Sequence, residues 1–161
     1  MQFSDLGKLG KKAADVVGGF LYLILFGVFV IQVIARFFFD QPLPWSDELA
    51  VILYIWVILW AAAFMVPERE HVVFDLVYHA APPKVQRVMR ILAHLMIGGL
   101  AAWGLPASWS YIRFMEREGT PVLGWPFLWV FLPFALLLVS LIAKGIWSIV
   151  KILREVTEVN Q

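Results

Sequence analysis

The chain is 161 residues long and 61% hydrophobic, with 8 tryptophans, 16% charged residues and a net charge of +1, where a soluble domain carries about 25% charged residues. The absence of cysteine excludes disulfides, thiolate metal sites and cysteine catalysis. The near-neutral charge, with basic residues spread among the loops, argues against a nucleic-acid partner.

In chain order, the first segment is amphipathic. Phe3, Leu6, Leu9, Ala13 and Val16 recur every three or four residues, with Lys8, Lys11 and Lys12 turned elsewhere. Residues 3–15 are therefore expected as a short helix on the inner leaflet, with its lysines near anionic headgroups. The apolar run that follows, over about 16–38, is too long for the h-region of a secretory signal and precedes no small-x-small cleavage site, so it reads as a retained signal-anchor. A second span is expected over about 48–66, closed by Pro67, and "EREHVVFDLVYHAA" between Pro67 and Pro82 suggests an interfacial helix over 70–81. Further spans are expected over about 88–112 and 122–144, with the tail beyond Lys144 continuing the last helix into the cytoplasm. Roughly twenty apolar residues cross a bilayer core of about 30 Å, and an α-helix satisfies its own backbone there. The fold class is thus an all-α integral membrane protein of four transmembrane helices, in a single membrane domain.

Orientation follows from the basic residues. Lys8, Lys11, Lys12, Arg69, Lys84, Arg87, Arg90, Lys144, Lys151 and Arg154 fall on one set of segments, and Arg36, Arg113 and Arg117 on the other. Cytoplasmic loops carry the excess, which puts both termini and the middle loop inside. The outer loops are slightly acidic, through Asp40, Asp47, Glu48, Glu116 and Glu118. Trp45, Trp109, Tyr111 and Trp125 near the outer ends, and Tyr22, Tyr78 and Trp147 near the inner ends, suit an aromatic belt. Ser46 is expected as the N-cap of helix two, with Asp47 and Glu48 in its first turn complementing the helix dipole.

Candidate chemistry is sparse. His71, Asp75 and His79 are four residues apart and share a helix face, a spacing that suits zinc as well as the wet face of an interfacial helix. A haem held between helices needs two histidines at similar depth, and His94 alone lies within a span. A proton-coupled transporter needs an ionisable group near the midplane, where every span lacks Asp, Glu, Lys and Arg. The chain does carry surface for packing: Ala61, Ala62 and Ala63 on helix two, and Gly98, Gly99, Ala102 and Gly104 on helix three. Gly98 and Ala102 have small-xxx-small spacing, and Trp56 and Trp60 near mid-depth suit either a protein partner or the chain's own core.

The order of residues says more than their types. Arg36 closes helix one; Trp45 and Glu48-Leu49 open helix two; Trp56 stands eight residues after Glu48; His71 and Asp75 follow helix two; and Thr120-Pro121-Val122-Leu123-Gly124-Trp125-Pro126 opens helix four. In that order, over nearly the whole chain, the sequence resembles the small membrane subunit of the tripartite ATP-independent periplasmic (TRAP) transporters, the Q subunit or small permease. It departs at Ala61, where many members have glycine, a change in packing only.

The resemblance implies a scaffold in the bacterial cytoplasmic (inner) membrane, beside a large multi-span subunit that carries the substrate and sodium sites. A soluble periplasmic binding protein would deliver an organic acid, such as a C4-dicarboxylate or sialic acid, and a sodium gradient would drive its uptake. No catalysis, cofactor or metal is implied in this chain, whose other partner is membrane lipid. In that light Arg36, Trp45, Glu48, Trp56, His71 and Asp75 are candidate interface or structural residues, and Asp47, Glu116 and Glu118 candidates for docking the binding protein. Glu48 is expected to pair with Arg36 across the turn between helices one and two. Two other readings stay open: a membrane anchor for a redox complex, and a small four-span transporter acting alone.

Overall fold

The computed structural model describes residues 3–40, 42–66 and 82–159. Helix α1 is Phe3–Phe38 and α2 is Pro44–Trp60, continued by a π-helical turn over Ala61–Met65. Helix α3 is Pro83–Phe114, extended by a 3-10 turn over Met115–Arg117, and α4 is Phe127–Val159. All four are long and apolar enough to cross a membrane. The interfacial helix expected over 70–81, and with it His71, Asp75 and His79, lies outside the described residues.

Three boundaries differ from the sequence expectation, each for a local reason. The amphipathic start of the chain is not a separate helix but the first turns of α1, which runs unbroken for 36 residues. Its glycines lower helix propensity without removing a backbone donor, as proline would. Helix α2 starts at Pro44, whose fixed φ suits a first helical position, so Leu43 and not Ser46 is the N-cap residue. Helix α4 starts at Phe127, because the heptapeptide before it is a folded loop.

The helices form an open row in the order α1, α2, α4, α3, with α1 packed mainly on α2 and α3 on α4. Along α1 the shielded positions include Ala14, Gly18, Leu21, Leu25, Val28, Gln32 and Ala35; along α3 they include Arg87, Ile91, His94, Gly98, Ala101, Leu105, Ser108 and Ile112. Both sets alternate steps of four and three, the 3.5-residue period of left-handed helix pairing. The rest of each surface is apolar and open: 6% of the apolar stretch of α3 and 17% of that of α4 is buried. Such a surface suits lipid or another membrane subunit.

Small residues set the close approaches. A Cβ added at Gly145 of α4 would lie 3.3 Å from the His94 carbonyl oxygen and 3.5 Å from the Gly98 Cα, so α3 and α4 meet backbone to backbone there. Ala101, not Ala102, is the next small residue inside this seam. Gly18 of α1 instead makes room for a side chain, since a Cβ there would lie 2.5 Å from the Met65 Sδ. The ends of the row are distinct. One, here the hairpin end, bears the α1–α2 and α3–α4 connections, and the other bears both chain ends.

Gly145→Val should force α3 from α4 and destabilise the protein by about 1–3 kcal/mol, the usual range for overpacking. Gly19→Ala, in open space, should leave thermal unfolding in detergent unchanged or slightly raised.

Candidate functional site

The hairpin end is organised by the loop before α4. Gly119 and Pro126 form an antiparallel bridge. The Thr120 N–H donates to the Trp125 carbonyl at 2.9 Å, the Gly124 N–H to the Thr120 carbonyl at 3.0 Å, and the Phe127 N–H to the Glu118 carbonyl at 3.0 Å. The Trp125 N–H donates to the Thr120 Oγ1 at 3.0 Å. Gly124 has φ +66°, a left-handed conformation that glycine adopts without a Cβ penalty. Gly119 must also be small, because a Cβ there would lie 3.2 Å from the Gly124 oxygen.

This closed loop aims two successive backbone donors at one point, in the manner of an anion-binding nest. The Glu48 carboxylate fills it. The Val122 N–H donates to Oε2 at 2.7 Å and the Leu123 N–H to Oε1 at 3.2 Å. The Thr120 side chain is a further partner. The pair expected between Glu48 and Arg36 therefore gives way to a different bond. Arg36 is exposed in the last turn of α1, and among the described residues no ion pair joins it to Glu48. The loop presents two fixed amides to one carboxylate, whereas Arg36 would have to give up solvation and side-chain freedom to compete.

Glu48 has three partners in this clasp, the Val122 and Leu123 amides and the Thr120 side chain. Successive residues of a helix point about 100° apart, so Ser46, Asp47 and Glu48 reach three different neighbours. The buried Ser46 hydroxyl donates to the Leu43 carbonyl at 2.8 Å. The Asp47 Oδ1 accepts from the Gln32 side-chain amide, joining α1 to α2. Trp45 stands beside them, 38% exposed. The acidic set expected to dock a soluble partner thus divides, since Asp47 is engaged with Gln32 while Glu116 and Glu118 are exposed around the 3-10 turn.

Further along α2 the polar atoms again join helices. The Trp56 Nε1–H donates to the Trp129 carbonyl of α4 at 3.1 Å, and the Trp60 Nε1–H to the Ala14 carbonyl of α1 at 3.0 Å. The Trp56 nitrogen therefore serves the chain's own α2–α4 contact, while its ring lines an open apolar groove of about 410 Å³ with Ile52, Leu53, Trp125, Pro126 and Trp129. At the π-turn, where the helical ladder changes step, Ser140 Oγ donates to the Ala63 carbonyl at 2.5 Å and Lys144 Nζ to the Val66 carbonyl at 3.5 Å. A cation at the carbonyl end of a helix also suits its dipole. Sequence reading passed over Ser140 and placed Lys144 only as a basic residue at the inner end of the last span. The available signal was a polar residue one helical turn before a lysine in an apolar span, where such groups face protein.

Among the described residues no group of three or more His, Asp and Glu is placed to hold a metal ion. The arrangement positions and fastens helices.

Removing Ser140 in Ser140→Ala should destabilise the protein by about 1–3 kcal/mol, since the Ala63 carbonyl at the π-turn loses its donor. Glu48→Gln should lower the midpoint of thermal unfolding in detergent, and Arg36→Gln should leave it unchanged. Equal losses in the two variants would restore the Arg36–Glu48 pairing.

Comparison with known proteins places this architecture. Residues 25–157 match the family model described as tripartite ATP-independent periplasmic transporters, DctQ component. The chain is 30% identical over 87 residues to the sialic acid TRAP transporter permease protein SiaT of Haemophilus influenzae (strain 86-028NP), covering 54% of this chain and 14% of that protein. It is 25% identical over 115 residues to the C4-dicarboxylate TRAP transporter small permease protein DctQ of Vibrio cholerae, covering 69% of this chain and 49% of that protein. The matched regions thus span less than two-thirds of each of these relatives. With a family match that runs from the middle of α1 through most of α4, the chain belongs to the DctQ family of TRAP transporter small permease subunits.

Proposed function

We propose that this chain is the fixed membrane partner of a larger multi-span permease subunit, in sodium-driven uptake of an organic acid delivered by a periplasmic binding protein. It lies in the bacterial inner membrane with both termini cytoplasmic. The observation that carries this reading is the use made of polar groups between the spans. Gln32, Glu48, Trp56, Trp60, Ser140 and Lys144 each hold a neighbouring helix or loop. A plate fastened in this way suits a scaffold, and the apolar surface on both of its flanks suits a partner within the bilayer. The printed names of two relatives, one for sialic acid and one for a C4-dicarboxylate, support a carboxylate as cargo. The basic residues at the end that bears both termini support the orientation.

Glu116 and Glu118, exposed at the hairpin end, serve as an acidic edge against which the binding protein docks. Like-for-unlike charge exchange at such an edge changes encounter more than stability. The double substitution Glu116→Lys/Glu118→Lys should therefore reduce uptake while the amount of protein in the membrane stays the same; unchanged uptake would remove these residues from docking.

The main test is a pull-down of the tagged chain from native membranes in mild detergent. One large multi-span protein should come with it, and the reconstituted pair with its binding protein should take up an organic acid only with sodium outside. Uptake by this chain alone in liposomes would overturn the reading.

A further inference from the structure

The two ends of the row differ in charge. By sequence, the helix segments at the end with both termini carry Lys8, Lys11, Lys12, Lys84, Arg87, Arg90, Lys144, Lys151 and Arg154 against Asp5, Asp15, Glu155 and Glu158. The hairpin end sets Arg36, Arg113 and Arg117 against Asp40, Asp47, Glu48, Glu116 and Glu118. Within the basic end, one helix face has a particular order. Trp147, Lys151 and Arg154 follow at steps of four and three, so they share a face of α4. All three are exposed, Trp147 at 71%. The buried Gly145, Ser148 and Ile152 mark the side by which α4 packs.

The levels fit a lipid. The apolar residues of α4 give way after Val150 to Lys151 and Arg154, about 6 and 10 Å along the axis from Trp147. The headgroup layer adds about 5–8 Å to each side of the hydrocarbon core. An indole therefore sits where chains meet headgroups, and two cations sit at the depth of the phosphate. Ile146 and Val150 are exposed on the flank of the same face and offer an acyl chain an apolar track.

We propose that the Trp147–Lys151–Arg154 face of α4 binds an anionic phospholipid, its phosphate between the two cations and one acyl chain along Ile146 and Val150. Headgroup charge selects the ligand, because the ammonium of a zwitterionic lipid cancels much of what the two side chains attract. This site goes beyond the transport reading and stands apart from it.

The test uses the purified full chain in mild detergent, titrated with phosphatidylglycerol or with phosphatidylcholine of the same acyl chains, with bound lipid counted by native mass spectrometry. The expected result is a roughly tenfold preference for phosphatidylglycerol. It is lost in Lys151→Gln/Arg154→Gln and kept in Lys151→Arg/Arg154→Lys, which retains both charges. Equal occupancy by the two lipids in the unaltered protein overturns the proposal. A preference that survives the glutamine pair, or vanishes in the charge-keeping pair, overturns it as well. Displacement of the lipid by inorganic phosphate would assign the site to a free anion and remove the lipid.

Discussion

Lipid has no water to offer an open backbone group, so every place where a helix starts, stops or changes step must find its partners inside the protein. Helix α2 shows how this requirement organises the rest. At its start the Leu43 carbonyl accepts from the Ser46 and Asp47 amides and from the Ser46 hydroxyl. Beside it the loop amides of Val122 and Leu123 are taken by Glu48, and at its far end the carbonyls of Ala63 and Val66 are met by Ser140 and Lys144. Apart from the bonds α2 makes within its own first turn and the one between Gln32 and Asp47, the partners at its two ends come from α4 or from the loop that leads into it. Helix α2 has to lie against α4, and the order of the row follows.

Between those ends, association rests on shape. Apolar side chains gain little by leaving lipid for one another, so close helix pairs depend on small residues and on a few polar bonds. The Gly98–Gly145 and Gly18–Met65 approaches supply the first, and the indoles of Trp56 and Trp60 supply the second. Both tryptophans place a ring in the apolar layer and send the single polar atom to a carbonyl of a neighbouring helix.

Much of this was legible in the sequence, in a graded way. The four spans follow from apolar run length, a property of one segment at a time. Glycine spacing pointed to the α3 seam, although the choice of Ala101 over Ala102 depends on the rotation of α3 against α4. Glu48 stood out by its position, but its partners did not, because a backbone amide has no side-chain signature and these lie more than seventy residues away. The same reason hid the loop. Its closure depends on Gly124 at positive φ, and "TPVLGWP" looked like the opening of a helix because its apolar residues continue the span. The π-turn was also out of reach, since alanines carry no mark of a changed helical step.

The open row has a mechanical consequence. Helices α1 and α2 make one leaf and α3 and α4 the other, and the leaves meet along a single spine, α2 against α4. Near the ends of that spine stand Glu48 on its loop and Ser140 on the π-turn, fifteen residues of α2 apart, or about 22 Å. Two fasteners at that separation resist twist as a long lever arm does, each with small force, while a single central contact of the same strength would let the leaves pivot. Stiffness in this small protein therefore comes from where its few polar bonds are placed, not from the size of its core.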